Sequence, residues 1–94
     1  MHFILVTYDI ENDRRRTKIH KILSNFGTAV QYSVFECFIS EEDFEEMRKK
    51  LRKQLDSKHP DDSIRYYTMC RSCVEKVQVD GNKGFNIEGP YIIS

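Results

Sequence analysis

Val30-Gln31-Tyr32-Ser33-Val34-Phe35-Glu36-Cys37-Phe38-Ile39 is the stretch on which the fold turns. It is rich in β-branched and aromatic residues and holds no Gly, Pro or Asn, so it reads as one long strand. A tight bend near Tyr32-Ser33 would divide it into two strands, but no turn residue announces one. The rest of the chain takes its place according to whether that division occurs.

Upstream, Ile19, Ile22, Leu23 and Phe26 recur at i, i+3, i+4 and i+7, which predicts an amphipathic helix. Asn12 or Asp13 can cap its start, and Gly27 is a natural stop. Arg14, Lys18 and Lys21 share the opposite, exposed side. Before this helix, Phe3-Ile4-Leu5-Val6-Thr7-Tyr8 is apolar on both faces, as a central strand covered on both sides would be, and it ends at Asp9.

Downstream, Ser40-Glu41-Glu42-Asp43 resembles a capping box, followed by a helix with Phe44, Met47, Leu51 and Leu55 on one face. Its acidic start and basic finish complement the helix dipole and allow pairs such as Glu45–Lys49 and Glu46–Lys50, so its charged side reads as solvated and self-paired. His59-Pro60-Asp61-Asp62 is a turn, and Ile64 to Met69 a strand. Val74, Val77 and Val79 suggest a further short strand, ended by Asp80-Gly81. The order is strand, helix, one or two strands, helix, strand, strand. With the central stretch divided, this is an α+β ferredoxin-like βαββαβ sandwich with both helices on one sheet face and the other face open to a partner. Residues 1–81 form the domain. Residues 82–94 form a tail whose apolar Tyr91-Ile92-Ile93 would be buried by adding to a sheet edge, its own or a partner's.

The composition sets bounds. Ninety-four residues make one small domain with a thin core, for which dimerisation is expected. Formal net charge is zero, so contact with nucleic acid must come from a local patch. The longest apolar run is too short to span a bilayer, no signal peptide is visible, and three cysteines do not suggest a secreted disulfide framework. No membrane association and a cytoplasmic location are the expectations.

Asp9 leads the chemical candidates. A carboxylate directly after a buried strand is rigidly held yet near the surface. Mg²⁺ prefers carboxylate oxygens, tolerates few protein ligands and completes its shell with water. Two copies of Asp9 across a dimer axis could share an ion and position a water against a phosphodiester. Taken alone, Asp9 reads more readily as a turn or N-cap residue before the helix. Arg14-Arg15-Arg16 places cations where a helix start favours anions; a phosphate would relieve this, as would pairing with Glu11 and Asp13. Tyr8, Tyr32 and Phe35 could stack on bases, although core packing is the expected role of Tyr8 and Phe35. Cys70-Arg71-Ser72-Cys73 is a C-x-x-C without the second pair that a zinc site needs, and ordinary loop or buried thiols are expected. His2, His20 and His59 show no ligand spacing.

Three segments together carry a resemblance: Val6-Thr7-Tyr8-Asp9-Ile10, Arg14-Arg15-Arg16-Thr17-Lys18 with Gly27, and Gln31-Tyr32-Ser33-Val34-Phe35-Glu36-Cys37. They resemble the small CRISPR-associated endoribonucleases, the lesser in size of the two universal spacer-adaptation proteins. The resemblance runs to about Val79. It implies a ferredoxin-like fold with a break inside Val30–Ile39, and a symmetric homodimer through the open sheet face. It also implies a C-terminal segment, Tyr91 to Ser94, that adds to the partner's sheet. Asp9 matches the metal-ligand aspartate contributed by both protomers, with Mg²⁺ or Mn²⁺ shared between them. Tyr8, Arg16 and Phe35 fall at positions linked to nuclease function, and Arg14, Arg15, Arg16 and Lys18 would meet nucleic acid. Lys18 stands where some members carry Arg, and Ala29 where many carry a cation. The implied activity is metal-dependent hydrolysis of single-stranded RNA or duplex DNA. The implied alternative is a non-catalytic bridge that lays spacer DNA across integrase subunits. A virulence-associated ribonuclease toxin is similar in fold, and a ligand-binding regulatory module is a further alternative.

Overall fold

The protein is described here from a computed structural model, which covers residues 1–55 and 57–81. The tail 82–94, with its expected strand on the partner's sheet, lies outside the described residues.

The elements run β1 (His2–Asp9), α1 (Asp13–Ser24), β2 (Gly27–Gln31), β3 (Val34–Ile39), α2 (Glu41–Arg52), β4 (Ser63–Met69) and α3 (Arg71–Glu75). The strands form one antiparallel sheet in the order β2-β3-β1-β4, the βαββαβ arrangement.

The Val30–Ile39 stretch is two strands, β2 and β3, joined by a turn at Tyr32-Ser33. Among the described residues none other than Gly has positive φ, so the turn is neither of the tight types that suit a two-residue hairpin. A register shift between Ala29 and Gln31 absorbs the mismatch. The remaining support comes from β1. The Tyr8 N–H donates to the Ser33 carbonyl (3.1 Å) and the Tyr8 hydroxyl to the Tyr32 carbonyl (3.4 Å). The bend is thus held from a distant strand, and its own residues do not signal it.

Alternation in β1 sends Ile4, Val6 and Tyr8 to the face that the helices cover. They pack with Phe35, Cys37 and Ile39 of β3, Ile19 and Leu23 of α1, and Met47 and Leu51 of α2. Cys37 Sγ lies 3.9 Å from Met47 Sδ, and burial pushes its thiol up to about 12. The Asn12 side chain accepts from the Arg15 N–H (2.9 Å) and the Ser40 hydroxyl from the Asp43 N–H (3.1 Å), so both helices start where polar caps predicted. Of the expected α2 pairs, Glu46–Lys50 closes at 3.3 Å.

The other sheet face carries Leu5, Val34, Phe38 and Met69, all half-buried, with Tyr67 48% exposed. Phe3, set edge-on to Phe38 with ring centres 5.9 Å apart, is fully buried on this face. Glu36 sits among these residues, opposite Leu5 of β1 and Thr28 of β2. One of its carboxylate oxygens is shielded with no hydrogen-bond partner among the described residues, and burial raises its pKa.

Two expectations are corrected. The strand through Val74, Val77 and Val79 does not form. Val74 belongs to α3, where its N–H donates to the Cys70 carbonyl (3.0 Å), and residues 77–80 have no regular structure. Two alternating valines are too short a pattern to hold a strand against that turn. Gly27 is not the helix stop: α1 ends at Ser24 with Asn25 as its cap, and Gly27 opens β2. Its value lies in close approach. A Cβ there would meet the Glu36 carbonyl oxygen at 2.4 Å and Cys37 Sγ at 2.6 Å.

Candidate nucleic-acid and metal site

Alternation at the end of β1 separates two neighbours. Tyr8 faces the helices and is 6% exposed; Asp9 is exposed on the opposite, open side. Antiparallel pairing sets Asp9 opposite Ser63 and Thr7 opposite Arg65. Thr7, Asp9, Ser63 and Arg65 line one open depression. The Asp9 carboxylate makes no hydrogen bond or ion pair among the described residues, so its oxygens are available to a cation. No cluster of three or more metal-ligating side chains exists among those residues. Among the described residues one chain therefore offers a hard cation such as Mg²⁺ a single carboxylate at this depression, which suits an ion that takes few protein ligands and keeps several waters.

Tyr8 and Arg16 belong to a second depression, with Thr17, His20, Ala29, Gln31 and Tyr32, between α1 and the edge strand β2. Tyr32 is 79% exposed, and the Arg16 guanidinium lies 6.0 Å from its ring centre. Burial pushes the Tyr8 phenol up; Tyr32 adds to this and Arg16 partly offsets it. Phe35 is 1% exposed, tilted against Tyr8 (6.4 Å) and edge-on to His20 (5.1 Å). Of Tyr8, Tyr32 and Phe35, it is Tyr32 that is open to a base, while Phe35 packs against Tyr8 and His20 as core.

The arginine run divides too. Arg16 donates to the Ile10 (2.9 Å) and Glu11 (3.3 Å) carbonyls and pairs with Asp13. Arg15 pairs with Asp62, whose other oxygen accepts the Glu11 N–H (3.2 Å). Arg16 thus holds the loop after Asp9 directly, and Arg15 holds it through Asp62. Arg14 and Lys18 are exposed and make no ion pair among the described residues, so they are the members of the cluster free to meet phosphate.

Sequence reading missed Asp62 and Arg65. Asp62 is 51 residues from Glu11, and no local pattern could link them. Arg65 became visible only once β4 was paired antiparallel with β1, which sets it across from Thr7. Asp62→Ala removes the partner of a largely buried guanidinium, whose Nε already lacks one among the described residues. The expected loss is about 2–3 kcal/mol in urea unfolding. Pairing it with Arg15→Met should restore more than half; an additive double variant would mean the ion pair holds nothing.

The profile of the family described as CRISPR associated protein Cas2 matches residues 1–77. This chain belongs to the Cas2 family. It is 41% identical to a CRISPR-associated endoribonuclease Cas2 of Synechocystis over 86% of each chain, and 38% identical to one of Chloroflexus aurantiacus over 85% of each. Among solved structures, Streptococcus pyogenes Cas2 superposes with a TM-score of 0.70 at 31% identity, covering 84% of this chain and 99% of that one. The Cas2 fold recurs at 23% identity and a TM-score of 0.71 in a chain of a partial Cas6-RT-Cas1–Cas2 complex, covering 84% and 90%. Among the described residues, no helix is long and apolar enough to cross a membrane.

Proposed function

We propose that this Cas2-family protein acts in CRISPR spacer acquisition as a homodimer built on its open sheet face. It would bind nucleic acid through Arg14, Lys18 and the Asp9–Arg65 depression, and cleave phosphodiesters in a metal-dependent way. The observation that carries this reading is the placement of Asp9. The carboxylate is unpaired among the described residues, fixed at a strand end, and at the margin of an apolar face that a second copy would cover. That geometry would bring two Asp9 side chains towards one another, where they would hold Mg²⁺ or Mn²⁺. When bound, such a cation polarises a phosphate and helps orient water. The chain's own residues do the rest: Asp9 fixes the ion's position, Arg65 adds charge for a phosphate oxygen, and Tyr32 offers a ring on which an unpaired base can stack.

Relatives bear the name endoribonuclease, which supports the nuclease reading. A single carboxylate lining the Asp9 depression supports the second reading, a bridge that holds duplex DNA for the integrase without cutting it. The match to Cas2 relatives favours both over a ribonuclease toxin.

The test supplies the purified protein with single-stranded RNA and duplex DNA at low salt, in Mg²⁺ or EDTA, with sedimentation to read oligomeric state. Cleavage that requires metal, by a dimer, is the expected result. Binding by a dimer without cleavage would assign the bridge role. A monomer that binds neither substrate would overturn both.

A further inference from the structure

The C-x-x-C is the motif that the nuclease and bridge readings leave unused. It lies at the far end of the sheet from Asp9: Met69, just before it, pairs with Phe3, whereas Asp9 pairs with Ser63. Both thiols are exposed, unlike the buried Cys37. Cys70 is extended (φ −72°, ψ 163°) and precedes α3, and its side chain makes no capping bond to the helix. Its sulfur turns instead to Cys73 Sγ, 3.0 Å away, with Ser72 Oγ at 3.2 Å. Placing the second cysteine one helical turn along brings both side chains to one side. No third metal-ligating side chain joins them among the described residues.

We infer that Cys70 and Cys73 are a redox-active dithiol, oxidised to an intrachain disulfide by exchange with small organic disulfides, with Cys70 as the attacking sulfur. The Cys70 thiolate attacks one sulfur of the disulfide. The S–S bond breaks, one thiolate leaves and takes a proton from water, and a mixed disulfide forms on Cys70. Cys73 then loses its proton to water and its sulfur attacks Cys70 Sγ, expelling the second thiolate. Two protein thiols are oxidised and one small disulfide is reduced to two thiols. The hydrogen bond shared with Cys73 first, and that with Ser72 next, lowers the Cys70 thiol to about 7, while the same contact raises Cys73. The roles of attacking and closing sulfur are thereby set apart. Oxidation would lock the first turn of α3, through which the chain leaves the sheet and which packs against β1, while leaving Asp9 untouched.

The test exposes the folded protein to 2-hydroxyethyl disulfide, then alkylates under denaturing conditions and reads intact mass. Wild type should retain one alkylatable cysteine, Cys37, and gain an internal cross-link within the Cys70–Cys73 peptide. Cys73→Ser should accumulate the mixed disulfide on Cys70. Cys70→Ser should react about 10-fold more slowly. The Cys73→Ser rate should climb with pH as the thiolate forms and then level off. Three alkylatable cysteines in treated wild type, disulfide-linked dimers in place of the internal bond, or equal rates in the two serine variants would each overturn the proposal. Both positions are exposed, so circular dichroism should be unchanged in either variant.

Discussion

Asp9→Asn protein should fold, dimerise and bind nucleic acid as wild type does, yet cleave single-stranded RNA in Mg²⁺ on the order of 100- to 1,000-fold more slowly. Asn is nearly isosteric with Asp, and Asp9 is exposed with no hydrogen bond to lose among the described residues. Stability should therefore move by less than about 0.5 kcal/mol. What disappears is the negative charge that would hold a hard cation. Cation stabilisation of the transition state contributes several kcal/mol, and each 1.4 kcal/mol is about tenfold in rate. Single-turnover cleavage across a Mg²⁺ titration is the measurement. A variant that recovers full rate at high Mg²⁺ would show that Asp9 sets affinity alone. Cleavage at wild-type rate in EDTA would remove both metal and Asp9 from the reaction.

Gly27→Ala should be among the most damaging single-methyl additions in the chain, at about 2–3 kcal/mol. Where Ala can adopt the native backbone without strain, this substitution stabilises by roughly 0.4–1 kcal/mol, because it stiffens the unfolded chain. Here the added Cβ meets a backbone carbonyl oxygen of β3 at 2.4 Å, and a carbonyl in a paired strand cannot rotate away. The second contact, Cys37 Sγ at 2.6 Å, is also pinned, because Cys37 is fully buried against Met47. Relief must come from pushing the edge strand β2 away from β3, which would also loosen the Tyr32-Ser33 turn. The urea midpoint should fall by about 2 M, for a slope near 1 kcal/mol/M. A shift under 0.5 M would mean that the edge strand yields freely, and that the glycine is not required for packing.

Much of this fold can be read in the amino-acid order, for local reasons. The two-faced apolar run of β1, the 3.6-residue stripes of α1 and α2, and the caps Asn12 and Ser40 are properties of short windows. Asp9 is legible in the same way, as the first polar residue after such a run. What escaped depends on residues far apart. The turn at Tyr32-Ser33 exists because Tyr8 reaches it from another strand, and only the family resemblance anticipated the break. The three consecutive arginines look alike in the sequence, yet one is exposed, one is neutralised by a remote aspartate, and one is bound to its own loop. Phe35 and Tyr32 differ little as residue types, but the turn hides one in the core and leaves the other open. The expected strand after β4 failed because two alternating valines lost to one closed helical turn.

The two arginine clamps on the β1–α1 loop have a consequence for how Asp9 meets a ligand. Arg16 grips the carbonyls of Ile10 and Glu11, and Asp62 holds both the Glu11 amide and Arg15. Few torsions are left to freeze when something binds. The ordering of this loop is thus met during folding, so a cation held at Asp9, as proposed, would lose water but need not order the loop. Selectivity among divalent ions would then be set by how readily each sheds its hydration shell.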